Sequence, residues 1–450
     1  MRYPLDKKRT LQLLKIASPS IVEQLLVVLV GIVSIAVIGH LGSNQFVAAA
    51  MTNTIVNWLQ SIYIGLSAGG MVVISRMWGS GKTEDVKKAF MQNIIITVLL
   101  SLIVFSFTLI FKNHVILFFF GGADDDVLKN IHAYFAFSMT AMPATAILTV
   151  INAGVRGIGD NKTPLYSTGI LNALNLLLSV MLIQGFAPFK IPPMGMTGAG
   201  IAVMSSKYIS ALFTGVYVYI KKRDVLISRS ALAPQKRIAA KILKIGVPSM
   251  LEQLIFQGGF VVLQTMLISF GTVLQGGYQI GANINGITNA PFNGLSVAVT
   301  VMISHALGKR DFEKATEIVK TSKAITIIGF LVLGTALFGF APLIVKIYAS
   351  DAIILESGKY FARVFAISLL PVSYFIVMAA VLRGGGDMRY VAATSIIGLW
   401  VGRLFLFWFI GKITGNGYIA VASGLLSDFI FRSVMYHFRV QKGRWKFIRI

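Results

Sequence analysis

One stretch of this sequence occurs twice and decides the fold. Residues 16–25 read Ile-Ala-Ser-Pro-Ser-Ile-Val-Glu-Gln-Leu, and residues 245–254 read Ile-Gly-Val-Pro-Ser-Met-Leu-Glu-Gln-Leu. The two copies are 229 positions apart in a chain of 450 residues. The repeated unit is therefore about half of the chain.

Two further matches follow in the same order. Ile-Ser-Arg and a glycine at 74–79 match Ile-Ser-His and a glycine at 303–308, and Val-Arg-Gly-Ile-Gly-Asp at 155–160 matches Leu-Arg-Gly-Gly-Gly-Asp at 382–387. Three ordered matches indicate a duplicated half-protein, and the period is far too long for a solenoid. We predict two homologous lobes of about 220 residues each.

The composition is that of an integral membrane protein. Hydrophobic residues make up 56% of the chain and charged residues 13%, which leaves too little polar surface to cover a soluble globule. The chain has no cysteine, so disulfides and thiolate metal sites are excluded. The basic N-terminus precedes a long apolar run without a small-residue cleavage site, and we interpret it as a cytoplasmic tail.

Twelve apolar runs are long enough to cross a bilayer, which takes about 20 residues per helix. We predict an all-α polytopic fold of two six-helix bundles, with an N-terminal lobe at 1–225, a cytoplasmic linker at 226–241 and a C-terminal lobe at 242–450. The predicted spans lie near 17–39, 45–72, 90–111, 127–150, 165–186, 198–220, 246–269, 273–302, 324–345, 359–381, 391–411 and 418–437.

The distribution of basic residues predicts the orientation, because Lys and Arg accumulate in short cytoplasmic loops. With both termini inside, the outer side holds only Lys112, Lys129, Lys190, Lys346, Lys359 and Lys412 of the 41 Lys and Arg residues. We therefore expect a multi-pass protein of the inner (plasma) membrane with both termini cytoplasmic. The net charge of +24 lies in loops beside anionic lipid and predicts no nucleic-acid partner.

Several motif-like strings predict no chemistry. Gly-Ser-Gly-Lys-Thr at 79–83 resembles the end of a phosphate-binding loop, but Arg76 stands where the pattern needs a glycine. The three aspartates at 124–126 are typical of a solvated loop that begins a helix. The five histidines are scattered without zinc spacing. We expect no enzyme activity and no cofactor.

Ionisable residues inside the predicted spans are the main functional candidates, because they are costly in a membrane. Glu252 is the strongest, since it lies about two turns into its span beside glutamines and aromatic residues. Its repeat partner Glu23 is the second candidate. A purely structural interpretation is also open, because a glutamate in the first turns of a helix is favoured by the helix dipole. Asp428 and Arg432 have the spacing of a pair across one helical turn.

Polar side chains also recur on helical faces. Asn53, Asn57 and Gln60 share a face, as do Asn172, Asn175 and Ser179, and as do Tyr278, Asn285 and Asn289. Such stripes either line a wet cavity or form hydrogen bonds between helices that never meet a substrate. We carry Asn57, Asn172, Asn175 and Tyr278 as candidate substrate contacts. The many Met and Phe residues could supply the adaptable wall of a promiscuous pocket.

These motifs resemble the multidrug and toxic compound extrusion (MATE) family of the multidrug/oligosaccharidyl-lipid/polysaccharide flippase superfamily. The resemblance rests on the repeated Pro-Ser-x-x-Glu-Gln, on the two Arg-Gly-x-Gly-Asp loops, and on Ile-Gly-His-Leu-Gly at 38–42 and Gly-Tyr-Gln-Ile at 277–280. It covers nearly the whole chain. It implies a monomeric multidrug exporter of hydrophobic organic cations, driven by H⁺ or Na⁺ antiport through rocker-switch alternating access.

The chain departs from the family pattern at three carboxylates. Ser34 stands where one branch has an aspartate, and Phe256 and Val372 stand where another branch has acidic residues. The resemblance then leaves Glu252 to carry the coupling ion, with Ser34 as a position to test. An alternative function is export or flipping of an anionic or zwitterionic metabolite or lipid, with Lys207 or Arg403 as counter-charge.

Overall fold

The described part of the chain is predominantly α-helical in a computed structural model. The structure describes residues 7–39, 41–122, 124–186, 188, 190, 192–228, 231, 233–348 and 352–448. The helices in the first half are α1 (Lys7–Gly39), α2 (Ser43–Gly79), α3 (Thr83–Ile110), α4 (Lys112–Phe120), α5 (Asp125–Thr140), α6 (Met142–Gly157), α7 (Lys162–Gln184) and α8 (Gly195–Leu226).

The second half consists mainly of long helices. They are α9 (Lys236–Ile268), α10 (Thr272–Gly308), α11 (Phe312–Val345), α12 (Ala352–Gly384), α13 (Met388–Ile397), a π-helix (Gly398–Phe405), α14 (Leu406–Thr414), α15 (Gly417–Gln441) and a 3₁₀ helix (Arg444–Phe447). The segment from α13 through the π-helix to α14 forms one continuous membrane span, Met388–Thr414.

The prediction of twelve membrane spans is confirmed. Eleven described helices are long and apolar enough to cross a bilayer, and α5 with α6 makes a twelfth span bent by 42°. Pro143 near the start of α6 explains the bend, because proline cannot donate a helical hydrogen bond. The hydroxyl of Tyr208 donates to the carbonyl of Thr140 at the break, at 3.0 Å.

The spans predicted near 17–39 and 246–269 place Pro19 and Pro248 close to helix starts, and this placement is wrong. Both prolines lie inside helices, because α1 begins at Lys7 and α9 begins at Lys236. A proline inside a helix removes one backbone hydrogen bond. In α1, the buried residues Leu13 and Ala17 precede Pro19, and their packing in the core stabilises the first turns of the helix. The segment between these lobes is shorter than the linker predicted at 226–241, since α8 ends at Leu226 and α9 begins at Lys236.

The chain divides into two compact units. One unit contains residues 26–250, and the other contains residues 1–25 together with 251–450. The units differ from the predicted lobes in two places: residues 1–25 group with the second half, and the start of α9 groups with the first half. The lobe boundaries themselves stay a prediction. We refer to the unit of 1–25 and 251–450 as the C-unit and to the unit of 26–250 as the N-unit.

Glycines let two pairs of helices meet backbone to backbone. In the C-unit, a Cβ added to Gly294 of α10 would lie 2.5 Å from the backbone of Ile21 in α1. In the N-unit, a Cβ added to Gly65 of α2 would lie 2.4 Å from the Cα of Met250 in α9. Gly65 and Gly294 are equivalent positions of the repeat, so each unit uses the same close approach.

The aspartate of each Arg-Gly-x-Gly-Asp loop forms an ion pair with a helix that is distant in sequence. Asp160 forms an ion pair with Lys222 of α8 at 2.9 Å, and Asp387 forms one with Arg439 of α15 at 2.7 Å. Burial raises the pKa of Asp160, but hydrogen bonds from Lys222 and Thr163 outweigh it and lower the pKa below its ordinary value. The repeated loop motif thus ties the ends of neighbouring helices together.

Candidate functional site

A cavity of about 230 Å³ lies within the C-unit and contains the strongest sequence candidate, Glu252. Helices α9, α10, α12, α13 and α15 all contribute to it. The lining residues are Glu252, Gln253, Phe256, Asn293, Ser296, Phe375, Ile376, Ala379, Arg383, Ser395, Arg432 and Tyr436.

The carboxylate of Glu252 is held on one side only. Its Oε1 accepts hydrogen bonds from Nη2 of Arg383 and from Oγ of Ser395, both at 2.9 Å. Its Oε2 is buried and has no hydrogen-bond partner in the described part of the chain. A buried carboxylate oxygen without a donor is costly, so Oε2 is the oxygen of Glu252 that is open to a further donor.

A chain of hydroxyls continues from Glu252. The hydroxyl of Tyr436 lies 2.9 Å from Ser395 Oγ and 3.0 Å from the carbonyl of Val391. Two hydroxyl protons serve three possible bonds, so when Ser395 donates to Glu252, the Tyr436 proton can form only one of the two bonds that remain. Ser395 thus links Glu252 of α9 to Tyr436 of α15.

A second charged group adjoins the cavity. Asp428 accepts two hydrogen bonds from Arg432, at 2.6 and 2.5 Å, and forms an ion pair with Nη2 of Arg403 at 2.6 Å. The side chain of Asp428 is 0% exposed and each arginine is 4% exposed. The predicted pairing of Asp428 with Arg432 is present, and Arg403 joins this pair from the π-helix.

Phenylalanine rings cover the guanidinium groups of this triad. The Arg432 guanidinium lies 4.1 Å from the ring centre of Phe375 and 5.4 Å from that of Phe256, and the Arg403 guanidinium lies 4.7 Å from that of Phe429. Such contacts stabilise a cation that has lost its water.

The π-helix positions the triad. A Cβ added to Gly398 would lie 2.6 Å from Oδ1 of Asp428, and one added to Gly402 would lie 3.2 Å from its Cα. This small-x-x-x-small spacing lets α15 approach closely, while the wider π-helical turn carries Arg403 toward Asp428. Such π-helical turns are frequent at functional sites.

The remaining C-unit candidates lie away from the cavity wall. Tyr278 is buried with its ring edge-on to Phe361, in a cluster of apolar residues. Glu23 is buried in the C-unit but does not line this cavity. Asn289 donates to Asn285 within α10, at 2.7 Å. The structure therefore brings together Glu252 and, through Arg432, Asp428.

The N-unit candidates are dispersed. Asn175 donates to Ser206 of α8 at 3.4 Å, which is a bond between helices, and Nδ2 of Asn172 is buried without a partner among the described residues. Asn57 is exposed, and the side chain of Ser34 lies outside the described part of the chain. Lys207 is half-buried and has no ion-pair partner within the described ranges.

Sequence reasoning missed Arg383, Ser395 and Tyr436. Arg383 belongs to the repeated Arg-Gly-x-Gly-Asp motif, which was a signal of importance but not of a partner for Glu252. Ser395 and Tyr436 gave no signal, because their contacts join residues that are 143 and 41 positions apart.

The fold and the site define a polytopic helical membrane protein with buried charges grouped at a cavity between helices. The MatE family pattern matches residues 19–181 and 248–409, and the chain belongs to this family. The resemblance to MATE transporters is thereby confirmed.

Known relatives agree with this assignment. The chain is 25% identical over 437 residues to the probable multidrug resistance protein NorM of Thermotoga maritima, covering 97% of this chain and 93% of the relative. It is 25% identical to a protein of Shewanella oneidensis named FAD transporter, covering 77% and 75% of the two chains. A solved structure of MATE in complex with MaL6 has a TM-score of 0.89 at 19% identity and covers 96% of each chain.

Proposed function

We propose that this protein exports amphipathic small molecules by proton-coupled antiport and that Glu252 carries the proton. One observation carries the proposal: Glu252 is a buried carboxylate on the wall of a cavity, bonded through Oε1 and unpartnered at Oε2 among the described residues. The name of the NorM relative supports a multidrug substrate range.

Protonation of Glu252 changes the charge that the cavity presents. With Glu252 ionised, its charge compensates that of Arg383. A proton at Oε2 removes the negative charge and leaves Arg383, whose side chain is 28% exposed, without its counter-charge. The protonated cavity is therefore more positive and repels an organic cation, so that a cation and a proton exclude each other, as antiport requires.

Hydrophobic organic cations remain our proposed substrates, and H⁺ is favoured over Na⁺ as the coupling ion. A sodium ion at Glu252 would lie close to the guanidinium that already touches the same carboxylate. Proton transfer needs no such approach of two cations. We further propose that the protein acts as a monomer in the plasma membrane with both termini cytoplasmic, as the distribution of Lys and Arg supports.

Glu252→Gln is expected to abolish gradient-driven export. Glutamine keeps an oxygen for Arg383 and Ser395 but cannot exchange a proton. Ethidium efflux from expressing cells should fall by at least about tenfold, as expected for loss of a coupling group, and should no longer respond when the proton gradient is collapsed.

Glu356→Gln is the matched control, because Glu356 is an exposed glutamate on α12 that lies outside the cavity. It should export ethidium like the wild type. If Glu252→Gln still exports ethidium in proportion to the proton gradient, Glu252 does not carry the coupling proton.

A second candidate substrate class is favoured by the charges of the site. Three guanidinium groups, those of Arg383, Arg403 and Arg432, face the two carboxylates of Glu252 and Asp428. This favours anionic or zwitterionic metabolites or lipids, and one relative is named FAD transporter. A monoanion that leaves a cell with a negative interior gains about 2.3 kcal/mol per 100 mV, so its export needs no coupling carboxylate.

Lys207 is the alternative counter-charge for such an anion. It is half-buried in the N-unit without an ion-pair partner in the described ranges. Arg403 is already engaged by Asp428. Of the cationic groups, Arg383 and Arg432 are the two that line the C-unit cavity.

A further inference from the structure

We propose that the C-unit cavity is a subsite for the carboxylate of aromatic amphipathic substrates and that Arg432 and Arg383 bind this carboxylate. The proposal rests on the proposed function of small-molecule export and names one substrate class for it. Monoanions and zwitterions share the required chemistry, which is a carboxylate attached to an aromatic body.

Arg432 has a nitrogen available to a ligand. Its Nε and Nη2 donate to Asp428, whereas Nη1 has no hydrogen bond in the described part of the chain. The side chain is 96% buried, since its exposed fraction is 4%, and it lines the cavity. A guanidinium that is held in place by one carboxylate and open on another edge is preorganised for a second.

Arg383 lines the same cavity from α12. Its Nη2 donates to Glu252, and Nε and Nη1 have no hydrogen bond among the described residues. Because 28% of its side chain is exposed, it has room to turn toward a ligand. The two guanidinium groups thus offer uncommitted donors to one cavity from two different helices.

The net charge of the triad of Arg403, Asp428 and Arg432 also favours the binding of an anion. Among the described residues, Asp428 is the only carboxylate paired with Arg403 and Arg432, so this buried triad carries a net charge of +1. Glu252 is balanced by Arg383 and does not supply the missing negative charge. Excess charge within a membrane is costly, and a bound monoanion would neutralise it.

The apolar lining indicates what the carboxylate is attached to. Phe256 and Phe375 lie beside Arg432 and form part of the cavity wall. The volume of about 230 Å³ is below the roughly 300–1,000 Å³ of pockets that enclose whole drug-sized ligands. The cavity therefore suits a carboxylate and an adjoining ring rather than a complete large molecule.

A matched pair of dyes tests the proposal. Rhodamine B has a carboxylate and a cationic ring system, and its ethyl ester has the cationic ring system alone. We expect the purified full-length protein to bind rhodamine B at least about tenfold more tightly than the ester, as for a charge-assisted bidentate contact. Naphthalene-2-carboxylate should displace rhodamine B if monoanions also bind, and should fail to do so if the site takes zwitterions only; both results keep the carboxylate subsite.

Two arginine variants locate the subsite. Arg432→Gln and Arg403→Gln remove the same charge, and each leaves one arginine on Asp428, so both should fold. Of these two residues, Arg432 lines the cavity and Arg403 does not. We expect Arg432→Gln to weaken rhodamine B binding by about tenfold or more and to leave the ester unchanged, whereas Arg403→Gln should retain most of the preference for the acid.

The outcomes separate this proposal from the proposed function. Equal binding of acid and ester by the wild type, absence of binding of either dye, or equal losses in the two variants would overturn the carboxylate subsite. Export of ethidium by the wild type would leave the proposed function standing in each of those cases. Absence of any dye export from expressing cells would instead overturn the proposed function.

Discussion

Asp428→Asn is expected to lower the free energy of unfolding by about 3–5 kcal/mol, which is the cost of leaving a buried charge without its partner. The substitution keeps the size of the side chain but removes the charge that compensates Arg403 and Arg432. Each of these arginines is only 4% exposed, so water cannot replace the carboxylate. The thermal midpoint of the detergent-solubilised protein should fall sharply, with a lower yield of monodisperse protein.

A triple variant provides the control for Asp428→Asn. Replacing the whole triad with Arg403→Met, Asp428→Leu and Arg432→Met removes every charge, and stability should recover to near the wild-type value because a buried ion-pair network often adds little over apolar packing. A wild-type thermal midpoint for Asp428→Asn would show that the arginines do not depend on this carboxylate.

Gly294→Ala is expected to destabilise the C-unit by about 1–3 kcal/mol or more, which is the range for overpacking a close contact. The new Cβ would lie 2.5 Å from the backbone of Ile21, and backbone cannot move aside as a flexible side chain can. Helices α1 and α10 would have to separate along their crossing. Thermal unfolding of the purified variant measures the loss.

Gly286→Ala is the matched control in the same helix. A Cβ at Gly286 has nothing within 4 Å, so alanine gains helix propensity without a clash and should raise stability by up to about 1 kcal/mol. The two glycine substitutions should therefore have opposite signs. A stabilising effect of Gly294→Ala would contradict the close approach of α1 and α10.

The architecture follows from features that the sequence shows directly. The 229-residue repeat and the apolar runs predict two sets of six spans, because each span must satisfy its backbone within its own helix. The helix starts were misjudged at Pro19 and Pro248, since tertiary packing of residues such as Leu13 overrides the proline penalty. The bend at Pro143 within the fourth span was not predicted either.

The candidate site is only partly readable from the sequence. Glu252 stands out in the sequence because a carboxylate in a membrane span is costly. The structure places Glu252 on the cavity wall, and its role in coupling stays a prediction. The contact between Glu252 and Arg383 joins residues 131 positions apart, and no local pattern reports such a contact. The pairing of Asp428 with Arg432 was visible because it repeats after one helical turn.

The exchange of a proton for a cation at Glu252 is tested most directly by measuring proton release when ethidium binds to the purified protein. In weakly buffered detergent solution over a range of pH, the wild type should release protons as ethidium binds, because the cation and the proton exclude each other at the cavity. Glu252→Gln should bind ethidium without this release, and Glu356→Gln should behave like the wild type. Equal proton release from the wild type and Glu252→Gln, or ethidium binding to the wild type without any release, would contradict the assignment of Glu252 as the coupling residue.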